Sequence, residues 1–229
     1  YFNAIFFERH KRILTKSVKQ MTGVIFLIIV GSIIVLFFAP ELKDNIHRFL
    51  MTSLPYFVFI MYALNRGQVI CKAMFFNCDH SMLAYQFYRT SKNMLENFKV
   101  RLKMLIRLNL LPAFVLAIGL DLLLWMTGGV GNPFVYFSMF FSIIFMSIFF
   151  SVHHLVLYYL LQPYDINMDR KSSIYDIVNA ITYFICWSCI EIKLDSFYFS
   201  LGTIVLTTIY VVVALYLAYL EAPKRFKLK

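Results

Sequence analysis

The sequence predicts an all-α integral membrane protein with six transmembrane helices, and three observations carry that prediction. First, 61% of the 229 residues are hydrophobic and only 15% are charged, against roughly 45–50% and about 25% in soluble domains. Second, the apolar residues gather into runs such as Val24 to Ala39 that are apolar on every face. Third, the basic residues are segregated between alternate connections. A mean hydropathy of +0.72 excludes a soluble enzyme, a nucleic-acid-binding domain and a disordered segment. A β-barrel is excluded as well, because a barrel strand alternates polar and apolar over about 10 residues.

A spanning helix needs about 20 mostly apolar residues. Six stretches qualify, over 21–40, 49–65, 108–128, 133–162, 174–192 and 199–221. Outside them, segments 1–20, 66–107, 163–173 and 222–229 hold 5, 8, 2 and 4 Lys and Arg, which is 19 of the 22 in the chain. The opposite connections hold only Lys43, Arg48 and Lys193. The positive-inside rule therefore predicts a multi-pass protein of the cell membrane with both termini cytoplasmic. The external connections are short, with a tight turn at Gly128-Gly129-Val130-Gly131-Asn132-Pro133.

Residues 1–20 mix Ile5, Phe6, Ile13 and Leu14 with the basic cluster Arg9-His10-Lys11-Arg12. They read either as an amphipathic helix on the cytoplasmic interface or as a solvated basic flank. Segment 66–107 is the one connection long enough to carry structure of its own. Asp79 or Ser81 can cap a helix start, and an apolar patch follows at Met82, Leu83, Tyr85, Phe87 and Tyr88. Ser91 is a second candidate cap. After it Leu95, Phe98, Leu102 and Leu105 recur at helical spacing, with Lys92, Lys99, Arg101 and Lys103 at the other positions. Such a helix either rests among lipid headgroups or plugs into a cleft on a soluble partner.

Polar residues line three spans. Ser147, Ser151, His154 and Tyr158 share one helix face, as do Asn179 and Thr182, and Thr207 lies in the last span. With Asp121 in the third span they form a candidate translocation path. The same serines, threonines and asparagines also serve as interhelical glue. Cys186-x-x-Cys189 lies within an apolar span and reads as core, and no metal-ligand set is apparent around His153-His154. An enzymatic alternative, a membrane peptidase with Cys78 or Cys71 as nucleophile and His80 as base, finds suitable residue types in Cys78-Asp79-His80, though nearness in sequence is not catalytic geometry. A receptor or scaffold without transport is a further alternative.

The block Phe76-Asn77-Cys78-Asp79-His80-Ser81-Met82-Leu83-Ala84-Tyr85-Gln86-Phe87-Tyr88-Arg89, placed between the second and third spans, resembles the entry into the coupling helix of bacterial ATP-binding-cassette exporters of the second permease class. The family's usual Leu-Pro-Ile is replaced by Ala-Tyr-Gln-Phe-Tyr. The resemblance implies a permease subunit whose partner ATPase contacts Asp79, Ser81, Leu83, Tyr85, Phe87, Tyr88 and Arg89. It also implies a second membrane half, either another copy or the other half of a longer chain, with ATP and Mg bound by the partner and no cofactor or catalytic residue on this chain. No G-x-x-x-x-G-K-[ST] phosphate loop occurs in the sequence. The substrate class left open is peptide, lipid-like or drug-like.

Overall fold

The computed structural model describes residues 2–165, 167, 169 and 172–226, with the side chains of residues 2–6 and Ile13 excepted. Arg170, Lys171, Lys227 and Lys229, four of the residues behind the expected orientation, lie outside that set, as do the Ile5, Phe6 and Ile13 side chains. The described residues form helices and turns and no β-strand. Five helices are each long and apolar enough to cross a membrane.

Helix α1 runs without interruption over Phe2–Phe38, about 55 Å at 1.5 Å per residue. Its buried residues Phe7, Leu14, Val18, Ile25, Ile29 and Leu36 form one stripe, which packs on the sixth helix. The expected boundary near residue 20 is absent, since nothing between Lys19 and Thr22 breaks a helix. The basic N-terminal segment and the first span are thus one rod rather than two elements.

The expected second span is divided. Helix α2, Lys43–Thr52, gives way at Ser53 to α3, Leu54–Leu64, because Pro55 lacks the amide a continuous helix needs there. At 11 residues, α3 is about 16 Å long, short of the roughly 30 Å hydrocarbon core. At Asn65 the backbone becomes extended, and α4 restarts over Gly67–Met74. A π-turn at Phe75–Asp79 leads into the single turn α5, His80–Met82, and a 3-10 turn follows at Gln86–Arg89. Asp79 precedes α5 without a capping hydrogen bond, its carboxylate being engaged elsewhere, and Ser81 lies inside the turn rather than at its start.

Helix α6, Ser91–Met126, joins the amphipathic segment and the third span into one rod and carries Pro112 without ending. Gly128 and Gly129 take positive φ values of 119° and 68°, the conformation glycine adopts without a steric cost. The Asn132 side chain then accepts from the Phe134 amide to start α7, Pro133–Leu161. Helices α8, Ser173–Ser188, and α9, Ser196–Leu220, are capped in the same way by Ser172 and Asp195. The turn α10, Ala222–Arg225, follows. It ends on Phe226, which is wholly buried and stacks on Tyr159 with ring centroids 4.7 Å apart. That contact pins the chain at least as far as Phe226.

Helix α7 is the central element, packing most extensively on α6 and α9. Two apolar cores stack along it. One joins the start of α1, α4, the first half of α6 and the end of α7; the other joins the end of α1, α2, α3, the second half of α6 and the start of α7. Much of α8 and α9 stays exposed, with Ile174, Phe184, Ile185, Val205, Leu206 and Ile209 all outward. A surface of that kind suits lipid.

Candidate functional site

The first core encloses a charged pair. Arg101 and Asp79 both have fully buried side chains, and they meet in a bidentate ion pair: Nη2 donates to Oδ1 at 2.5 Å and Nη1 to Oδ2 at 2.6 Å. Three tyrosines surround the pair. Tyr88 donates to Asp79 Oδ1 at 2.7 Å, and Tyr158 donates to Oδ2. Arg101 in turn donates to the Tyr88 hydroxyl at 2.9 Å and the Tyr159 hydroxyl at 3.1 Å. A buried carboxylate and guanidinium survive in an apolar core only when paired and saturated in this way. The pair ties the π-turn (Asp79), the 3-10 turn (Tyr88), α6 (Arg101) and α7 (Tyr158, Tyr159) into one unit.

That network divides the expected partner contacts. Asp79, Leu83 and Tyr88 are buried inside it, while Tyr85 and Phe87 project at 56% and 55% exposure, their rings 5.8 Å apart. Ser81 is exposed beside them and Arg89 is half-buried. Phe87 is steadied from behind, because its carbonyl accepts from the Asn93 side chain at 2.7 Å. Asp79, Leu83 and Tyr88 therefore brace the segment from within, while Ser81, Tyr85, Phe87 and part of Arg89 are the expected contacts that face outward.

The expected translocation residues do not converge on one path. Ser147 and Ser151 belong to a neutral cluster between the two cores. There Asn65 and Asn109 donate to Ser151 Oγ at 3.2 and 3.0 Å, and Ser147 donates to the Asn109 carbonyl at 3.2 Å. The helix break at Asn65 is held by the same cluster, since the Arg66 amide donates to Asn109 Oδ1 at 3.2 Å. Asn179 accepts from Gln68 Nε2 at 2.7 Å, bridging α8 to α4. Thr182 lies 3.1 Å from His153 Nε2. Its own hydroxyl proton goes to the Val178 carbonyl, so Nε2 carries the imidazole proton and Nδ1 is left to accept from Tyr210, 2.9 Å away. Thr207 donates to the Phe145 carbonyl, and Tyr158 is committed to Asp79. His154 packs beside Tyr62, and its Nδ1 is buried with no partner among the described residues. Asp121 sits apart on α6, with Oδ1 likewise unpartnered.

Cys78 lies at the edge of the charged pair. Its thiol lies 4.0 Å from Arg101 Nη2, yet burial, reinforced by Asp79, pushes its pKa above the ordinary thiol value. The thiolate is the nucleophile, and burial disfavours that form here. Among the described residues no three His, Cys, Asp or Glu gather into a metal-binding group.

The sequence pattern places Arg101 on the polar face and does not single out Asn65, Gln68, Asn109 or Tyr159. A signal for Arg101 was present. It falls three residues after Phe98 and seven after Met94, in register with the buried stripe Met94, Phe98, Leu105, Asn109. No protein-family model, curated protein or solved structure matches this chain.

Proposed function

We propose that this chain is the permease subunit of an ATP-driven exporter, with the exposed Tyr85–Phe87 tip as the docking point of a partner ATPase. The observation that carries the reading is the way the tip is mounted. Two aromatic rings stand in solvent on a segment only a few residues long, and its roots, Asp79 and Tyr88, are locked to α6 and α7 by buried hydrogen bonds. Exposed aromatics with an adjacent arginine are the composition of interface hot spots, and a rigid mount transmits a push that a floppy loop would absorb. ATP and Mg would act on the partner; this chain would contribute the lever. In this reading α2 and α3 together make the second of six crossings, both termini lie in the cytoplasm, and a second membrane half completes the path. The exported substrate would be peptide, lipid-like or drug-like.

The test is a photo-crosslinking amino acid placed in cells at position 85 or 87, with buried position 83 as control. The expected adduct is an ATP-binding-cassette ATPase, formed from 85 and 87 and not from 83. Adducts to lipid alone would make the tip an interfacial anchor and remove the reading's main support.

A further inference from the structure

A cleft of about 660 Å³ opens between α1, α2, α3 and α6. On α1 it is lined from Ser17 to Ser32 by residues alternately three and one apart, so one continuous helix face is turned into it. At 1.5 Å per residue that face is about 22 Å long, more than one leaflet of a hydrocarbon core about 30 Å thick. Val24 and Ile28 on it are 57% and 63% exposed, so the described chain leaves them uncovered.

The walls are apolar and carry no acidic residue. Their one charged group is Arg66, whose Nε donates to Met21 Sδ at 3.0 Å at the end of the cleft where Ser17 and Gln20 also lie. Arg66 is held there by its own amide, bonded to Asn109, and no carboxylate among the described residues pairs with it. It marks the point where the apolar α3 stops, and its charge faces a trough too long and too apolar for a small polar anion.

We propose that this cleft binds an anionic phospholipid, with one acyl chain lying along α1 and the phosphate paired with Arg66. Guanidinium recognises phosphate through two parallel hydrogen bonds, and basic pockets between transmembrane helices are a recurrent way of holding anionic headgroups. A helix from a second copy of this chain would cover the apolar walls but bury Arg66 without a partner, which is costly. A zwitterionic lipid would bring its own ammonium towards the arginine. An anionic lipid satisfies both walls and charge.

The experiment is native mass spectrometry of the full chain in mild detergent, with equimolar phosphatidylglycerol and phosphatidylcholine. Wild type should retain the anionic lipid about tenfold more than the zwitterionic one, and Arg66→Gln should erase that preference without changing retention of phosphatidylcholine. Val24→Trp, at an exposed position within the cleft, should reduce retention of both lipids. Arg107→Gln, at an exposed arginine of α6 outside the cleft, should alter neither. Equal retention of the two lipids by wild type, or a preference that survives Arg66→Gln, would overturn the proposal. So would an efficient disulfide between two copies carrying Ile28→Cys, which would assign the cleft to a second chain.

Discussion

The Asp79–Arg101 pair and the Asn65–Asn109 cluster both join α6 and α7 across a break in the chain, and they do so with opposite chemistry. The first is charged, saturated by three tyrosines, and enclosed in one apolar core. The second is neutral, built from amides and hydroxyls at the level where the two cores meet. A neutral interhelical contact is worth about 0.6 kcal/mol on average and can loosen by degrees. A buried ion pair cannot, because removing either partner strands the other charge. The charged joint thus suits an element that must move as one piece, and the neutral joint suits a seam along which helices adjust.

The largest break in that comparison comes from stranding a charge. Asp79→Ala or Arg101→Met should destabilise the protein by about 3–5 kcal/mol, read as a lowered unfolding midpoint in detergent. The double variant Asp79→Leu with Arg101→Met should recover part of the loss, since an apolar pair replaces the ions while the buried tyrosine hydroxyls lose their partners. A double variant as unstable as the sum of the singles would mean that Asp79 and Arg101 act independently.

Tyr158→Phe sharpens the same joint by removing one hydrogen bond and little volume. A bond to a charged group is worth about 1.5–3 kcal/mol, and in a cycle with Asp79→Ala most of that effect should vanish. On the neutral side, Asn109→Ala removes the bond to Ser151 and the acceptor for the Arg66 amide. At about 0.6 kcal/mol per contact it should cost roughly 1 kcal/mol, measured in the same unfolding assay. A loss as large as that of Arg101→Met would erase the distinction between the two joints.

The two joints also differ in how far they could be read in advance. Apolar length alone announces α1, α7 and α9, and the double glycine before Asn132-Pro133 announces the turn into α7. The division of the second span was harder to see, because Leu54 to Leu64 is as apolar as a crossing helix and only Pro55 and the Asn65-Arg66-Gly67 sequence interrupt it. The charged joint was hidden for a different reason. Asp79 and Arg101 are 22 residues apart across two irregular turns, a separation with no periodic signature, and each has a commoner role as a cap or a solvent-facing charge. The neutral cluster was half visible: Ser147 and Ser151 share a face of one helix, but Asn109 comes from another and Asn65 from a helix break. Helical periodicity reports which way a residue faces; it does not report what waits there.

The last expected effect is an alkaline one, and it too separates the joints. Cys71 and Cys78 belong to the core around the charged pair, and burial raises both thiols above their ordinary values. A raised folded-state pKa means that the folded chain keeps its proton where the unfolded chain, near pKa 8.5, would release it. The stabilisation is therefore complete below about pH 8.5 and is lost as pH rises toward the folded values, by at most about 1.4 kcal/mol per pH unit for each thiol. Tyr88, raised mainly by its burial, adds to the decline only above about pH 10. Asn65, Asn109, Ser147 and Ser151 contribute nothing over that range, having no group that titrates there. Between about pH 7.5 and about pH 9.5, the unfolding midpoint of wild type should fall, Asn109→Ala should fall in parallel, and Cys71→Ala with Cys78→Ala should flatten the slope. An unchanged slope in the double cysteine variant would place the alkaline weakness outside this core and detach the thiols from the charged joint.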